Sequence, residues 1–417
     1  MTKNQATMTK LATALKLAFC SLMLCTAAQG QNWNRATTST NLWLSMAGSL
    51  HGNTLVAADF TDDTNLYSVP GHIYASTNGG QTWQLTSAPD NYWTSIAAST
   101  NGLRLVAGAE YNSDYFPNPG QIFISTNGGL TWTNTAAPSN FWQAVASSAD
   151  GRILAGAAYG DGIYVSTNFG TDWKINITDH GWNNLAMSAD GQKMYATSGE
   201  GVYVSTNTGS SWNLASNSPP LCFSVVCSAD GSQVFAGIVG AAYDSDYLGI
   251  YNSTNYGATW SQTSAPISDV QNYQCLSLST YGDVLLAGAF SSENHGLVYL
   301  SNDGGATWIP QTAPTNSWGC VFCSADGTML SAGEYGGAIY NAANPVKAPA
   351  LAISAKANQT VLSWPLFPAG FQLQTTSTLN PGATWTNSAS AEIISGTNNF
   401  STNNLGSPVG FFRLARP

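Results

Sequence analysis

The sequence predicts an all-β chain: a seven-bladed β-propeller whose N-terminal strand closes the last blade, followed by a small C-terminal β-sandwich. Three observations carry the prediction. One phrase recurs six times: STNGGQTW at 76–83, STNGGLTW at 125–132, STNFGTDW at 166–173, STNTGSSW at 205–212, STNYGATW at 253–260 and SNDGGATW at 301–308. The tryptophans at this register, Trp33, Trp83, Trp132, Trp173, Trp212, Trp260 and Trp308, lie 50, 49, 41, 39, 48 and 48 residues apart, which suits one four-stranded blade. Only 8% of residues are charged while 43% are apolar, so a core is affordable and disorder is not expected. Abundant Gly, Ser, Thr, Asn and aromatics favour short strands and turns over long helices.

In chain order, residues 1–30 read as a secretory signal. Lys3, Lys10 and Lys16 precede the apolar run LAFCSLMLCTAA, and Ala28 and Gly30 supply small residues before a mature start at Gln31. A secreted or extracytoplasmic location follows as an expectation. Removing that leader removes three lysines and no acids, leaving nine basic and 22 acidic residues, a formal net charge of −13. Such a surface repels phosphate backbones, so a nucleic-acid partner is not expected. No later stretch is long and apolar enough for a transmembrane helix.

Residues 31–345 hold the repeat. The third unit reads NFWQAVASSADG, RILAGAAYG, DGIYVSTNFG and TDWKINIT, four short runs bounded by Gly, Asn or Asp, the signature of a meander. First-strand phrases end at Gly52, Gly102, Gly151, Gly191, Gly231, Gly282 and Gly327, which counts seven blades. The last has no closing Trp phrase. QNWNRATT at 31–38 supplies that strand and leaves no open sheet edge.

The recurrent phrase resembles the Asp-box, or BNR repeat, Ser/Thr-x-Asp/Asn-x-Gly-x-Thr-Trp. That family includes sialidases, sortilin-like receptors, xyloglucan-cleaving hydrolases and photosystem II assembly propellers. The resemblance implies a turn between third and fourth strands, away from the usual ligand face. Side-chain chemistry agrees. Asn78, Asn127, Asn168, Asn207, Asn255 and Asp303 can bond nearby backbone N–H groups, and Trp83, Trp132, Trp173, Trp212, Trp260 and Trp308 can pack between sheets. The boxes are therefore read as scaffold. Residues 346–417, with several short runs around Trp364, Trp385 and Phe411, look like the fibronectin-type-III-like modules appended to exported bacterial proteins.

Function is expected on the opposite face. Four connections between second and third strands are long or polar, at 59–71, 110–120, 240–249 and 290–296. They and their shorter counterparts carry the candidate ligand-binding residues Asp62, Asp63, Tyr67, Glu110, Tyr111, Asp114, Tyr115, Tyr159, Tyr243, Asp244, Asp246, Tyr247 and Glu293. Rings beside carboxylates suit sugars, which stack one face and bond through hydroxyls. The same residues also read as a solvated acidic rim whose tyrosines cover blade ends. Asp62/Asp63 and Asp244/Asp246 could hold Ca²⁺, although no full EF-hand-like spacing is present. A second aromatic set, Trp43, Trp93, Trp142, Trp182, Tyr273 and Trp318 with Cys222 in register, reads as core between blades.

Catalytic signatures are missing. After residue 30 the arginines are Arg35, Arg104, Arg152, Arg413 and Arg416, too few at the loop face for a sialidase triad. No GxSxG, HExxH or P-loop occurs. Cys222, Cys227, Cys275, Cys320 and Cys323 read as buried thiols, with a Cys275–Cys320 disulfide as an alternative. The sequence thus leads to an exported, monomeric, non-catalytic propeller that binds a glycan or an extracytoplasmic protein. A non-sialidase glycoside hydrolase and an assembly scaffold remain as alternatives.

Overall fold

The computed structural model describes residues 31–415 apart from 61–69, 111–119, 179, 240–247, 268–271, 291–295, 345–350, 357–358, 366–370, 378–382, 389–391, 396–397 and 405–410. Every regular element among them is a β-strand. No helix there is long and apolar enough to cross a membrane.

One repeat shows how the sequence becomes a sheet. Strands Trp142–Ser147, Leu154–Ala158, Gly162–Ser166 and Lys174–Thr178 form an antiparallel meander, with Ser147 opposite Leu154, Leu154 opposite Ser166 and Val165 opposite Lys174. Separate four-stranded sheets of the same order begin at Trp93, Trp182, Cys222 and Asn272. An eight-stranded sheet joins two further meanders where Asn41–Gly48 pairs with Met329–Gly337. Within it, Asn34–Arg35 pairs with Ile339–Ala343, Asn34 opposite Asn341, so chain-distant strands share one sheet.

Backbone hydrogen bonds link the sheets in a circle. The turn after each first strand donates to the next: Leu50 N–H to Thr100 O, Thr100 to Ala149, Ala149 to Ala189, Ala189 to Ala229, Ala229 to Thr280 and Thr280 to Ala325, all within 2.7–2.9 Å. The Asp326 N–H then donates to Leu50 O at 3.1 Å and closes the circle.

The core lies between neighbouring sheets. Trp43, Trp93, Trp142, Trp182, Cys222, Tyr273 and Trp318 are fully buried. Trp142 meets Tyr164 in a T-shaped contact at 5.3 Å, and Trp93–Phe123 and Trp182–Tyr203 repeat it at 5.3 and 5.2 Å. Truncating one such tryptophan to alanine costs roughly 3–5 kcal/mol. Cys320 belongs to the apolar cluster that contains Trp43 and Ile339, whereas Cys323 belongs to the one that contains Trp318 and Leu330, so this CxxC pair serves two different inter-sheet layers. All five described cysteines are unlinked. The Cys275 thiol instead lies 3.5 Å from Gly288 O and 3.7 Å from Trp318 O.

The turns between third and fourth strands share one hydrogen-bond pattern. Ser76 Oγ donates to Asn78 Oδ1, which also accepts the Thr82 N–H at 3.0 Å, and Trp83 Nε1 donates to Gly80 O at 3.0 Å. Asn127, Asn168, Asn207, Asn255 and Asp303 accept the equivalent N–H at 2.8–3.0 Å. Gly80 has φ +76°, a left-handed conformation that glycine adopts without strain.

Toward the C-terminus, Ala352–Lys356, Gln359–Pro365, Glu392–Ser395 and Asn398–Asn404 form one sheet; Gln372–Thr376, Thr386–Asn387 and Phe411–Ala415 form another. Leu362, Trp364 and Leu373 make their shared apolar cluster, and the Arg413 guanidinium covers Trp385 at 4.5 Å.

Candidate functional site

A bulge repeats at one register of seven strands. Pairing skips a residue between Trp43 and Ser45, Trp93 and Ser95, Trp142 and Ala144, Trp182 and Asn184, Cys222 and Ser224, and Trp318 and Cys320; in Asn272–Leu278 it slips between Asn272 and Cys275. A bulge re-aims side chains and leaves its extra residue outside the ladder. Leu44, Thr94, Gln143, Asn183, Phe223, Gln274 and Gly319 follow the buried position of each strand, and all seven line one cavity of about 560 Å³. They sit at the strand ends that also carry the second-to-third-strand connections. The recurrent Trp turns lie at the other end of each sheet.

Contacts between sheets hold this ring. Ile96 N–H donates to Ser45 Oγ at 2.9 Å, and Val145 N–H donates to Ser95 Oγ at 3.1 Å. Thr94 Oγ donates to Trp142 O at 2.7 Å, Asn183 Nδ2 to Cys222 O at 3.0 Å and Ser224 Oγ to Tyr273 O at 2.9 Å. A β-carbon on Gly319 would lie 2.1 Å from Trp43 O, so this seam needs a glycine. The side chains of Gln143 and Gln274 have no hydrogen-bond partner among the described residues.

Among the described residues, Glu110 is the only carboxylate lining the cavity, and no Lys, Arg or His lines it. Its backbone N–H donates to Tyr92 O at 2.8 Å, but its carboxylate has no described partner. Burial therefore lifts its pKa above the ordinary glutamate value. Phe223 and Tyr335 line the same cavity and remain 40% and 39% exposed. Burial holds the thiols of Cys227 and Cys275 up at about 12, so the wall they form is neutral.

Other acids on this side are tied internally. Asp59 is fully buried, accepts the His72 N–H at 2.7 Å and is bonded by Asn41 Nδ2; burial raises its pKa. Glu334 is buried and accepts the Ala338 N–H at 2.8 Å. Asp161 accepts from Asn140 Nδ2 and from Tyr164 OH at 2.8 Å. Glu200 accepts Tyr203 OH at 2.5 Å, with His180 Nδ1 3.8 Å away. Burial and then these carboxylates push both phenols up to about 12.

Of the residues proposed from sequence, Glu110 lines the cavity and Tyr159 lies outside it. Tyr159 is 59% exposed, and its N–H donates to the carbonyl of the exposed Phe141 at 2.9 Å. Asp62, Asp63, Tyr67, Tyr111, Asp114, Tyr115, Tyr243, Asp244, Asp246, Tyr247 and Glu293 lie outside the described residues, as do both aspartate pairs considered for Ca²⁺. No group of three His, Cys, Asp or Glu among the described residues is placed to hold a metal ion. The sequence alone does not predict the bulged ring. Its sequence signal is weak, because the position recurs while its residue type changes.

No family model matches the chain, and no curated protein matches its sequence. Solved structures do. The GH74 xyloglucanase from Xanthomonas campestris superposes with a TM-score of 0.58 at 14% identity, covering 80% of this chain and 59% of that one. The GH74 enzyme of Niastella koreensis gives 0.59 at 13%, with the same coverage. This chain therefore spans 59% of the length of those two proteins. YCF48 bound to D1 peptide gives 0.54 at 14%, covering 76% of this chain and 97% of that one. At such identities the likeness shows the fold, a β-propeller.

Proposed function

We propose that this chain is an exported, seven-bladed Asp-box propeller with a leader at 1–30, blades over 31–345 and a fibronectin-type-III-like sandwich over 346–417. In this reading it is a monomer that binds a protein or glycan partner at the loop face without cleaving it. The carrying observation is the ring of seven bulged residues around the cavity, all neutral and three of them amide-bearing, with its member Phe223 and the nearby cavity residue Tyr335 partly exposed. That lining suits recognition better than bond cleavage. A glycosidase needs two carboxylates roughly 5–10 Å apart, whereas the described lining offers Glu110 alone. Likeness to YCF48 over 97% of that chain, in a structure holding a D1 peptide, supports a one-propeller binder of protein segments. The test is a combined glycan and peptide array probed with the purified protein and with Phe223→Ala. Specific capture that Phe223→Ala weakens supports the reading; a blank on both arrays overturns it.

A hydrolase is the second reading, favoured by the fold shared with the xyloglucanases and by Glu110, whose raised pKa suits a proton donor. It requires a second carboxylate roughly 5–10 Å from Glu110. Release of reducing ends from xyloglucan, abolished by Glu110→Gln, would establish it.

A further inference from the structure

We infer that the cavity mouth takes one basic side chain, a lysine or arginine on an extended segment of a partner protein, with Glu110 as its counter-charge; this rests on the binding reading above. The Glu110 carboxylate is partly buried and has no described hydrogen-bond donor or cation beside it. A carboxylate withdrawn from water without a partner is costly, and an entering ammonium or guanidinium removes that cost. No Lys, Arg or His among the described residues competes for it in the cavity.

The surrounding groups suit the same occupant. Gln143 and Gln274 line the same cavity with side-chain carbonyls that have no described partner, and such carbonyls can accept N–H groups from a ligand that enters it. Phe223 and Tyr335 present partly exposed rings at the same cavity, and ring faces attract cations. About 560 Å³ is ample for one long side chain and its flanking backbone.

Charge selects among ligand classes. The formal net charge of the chain is −10, so its field draws cations and repels anions. A neutral sugar could use the amides and rings, but its hydroxyls would leave the Glu110 charge uncancelled. A basic side chain cancels that charge, and its cation is also attracted by amide carbonyls and ring faces in the same cavity.

The test displays a library of random peptides and a glycan array to the purified protein, then repeats both with Glu110→Gln and Phe223→Ala. The expected result is capture of peptides enriched in Lys or Arg. Replacing that residue with citrulline or norleucine should weaken binding about tenfold or more, and Glu110→Gln should cause the same loss. Combining the two changes should cost little beyond either alone, because they remove one interaction. Thermal melting of Glu110→Gln checks that the fold persists. Captured peptides without a basic preference, or equal capture by Glu110→Gln, overturn the inference. Glycan capture lost in Phe223→Ala but kept in Glu110→Gln overturns it while leaving the binding reading standing. A blank on both arrays overturns both.

Discussion

The backbone N–H of Asp326 donates to the carbonyl of Leu50 at 3.1 Å, and the Asp326 carboxylate meets His51 Nδ1 at 2.6 Å. These contacts join the last turn of the hydrogen-bonded circle to its first. Asp326 also accepts from Ser324 Oγ at 2.6 Å and from the Thr328 N–H at 3.1 Å. Asp150 holds the equivalent turn contacts, from Ser148 Oγ at 2.7 Å and Arg152 N–H at 2.9 Å. Asp326→Ala should therefore lower stability by roughly 1–3 kcal/mol, more than Asp150→Ala, because it also loosens the seam. Urea unfolding of both variants measures the difference. Equal effects would mean the His51 contact adds nothing to closure.

The same turns set the acid limb of stability. Hydrogen bonds from Ser148 and Arg152 N–H lower the Asp150 pKa, and Ser188 heads the causes that lower Asp190. At Asp326 burial pushes upward, but bonds from His51, Ser324 and Thr328 outweigh it and leave the pKa lowered. A carboxylate with a depressed folded pKa stabilises the fold above its unfolded value, near 4, and loses that contribution as pH falls through the folded value. The melting temperature should thus drop as pH falls below about 4. Replacing Asp150, Asp190 and Asp326 together with Asn should flatten that drop, as read by thermal melts across pH. An unchanged slope would assign the acid sensitivity elsewhere.

Glu110 has the opposite sign. Its folded pKa is raised by burial, so its charged form opposes folding above that pKa and is harmless below the unfolded value. Glu110→Gln should raise stability at pH 7 by a modest amount, below about 1 kcal/mol after allowance for its partial exposure. The advantage should vanish under acid conditions. A stabilising change that impairs binding is expected of a residue kept for recognition. Destabilisation at pH 7 would mean that Glu110 is a structural contact.

Gly319 and Gly199 make a paired test of packing. A β-carbon on Gly319 would lie 2.1 Å from Trp43 O, whereas one on Gly199 meets nothing within 4 Å. Gly319→Ala should cost about 1–3 kcal/mol through overpacking, and Gly199→Ala should be close to neutral. Melting curves of both variants decide it. Tolerance of Gly319→Ala would show that the seam can part without penalty.

Much of the scaffold is legible in the sequence because it is repeated with the same chemistry. Asn78 and its five counterparts occupy equivalent turns and accept equivalent N–H groups. Trp33 marked the N-terminal segment as part of the last sheet, and neighbouring Asn34 pairs with Asn341. The site is less legible. Leu44, Gln143 and Phe223 share a position but not a chemistry, so periodicity alone does not flag them. Asp59 opens the long connection at 59–71 and Glu334 lies toward the strand ends on the same side, yet both are buried against backbone N–H groups, because strand ends need acceptors as much as ligands do. Eleven of the thirteen proposed ligand residues fall outside the described residues, leaving Glu110 and Tyr159 as the placed members.

The most direct measurement compares ligand capture by the wild-type protein, Phe223→Ala and a Gln143→Ala/Gln274→Ala variant on one combined peptide and glycan array. Binding at the ring predicts that both variants lose capture about tenfold or more while melting within a few degrees of wild type. Undiminished capture by both variants would contradict a binding site at the cavity mouth.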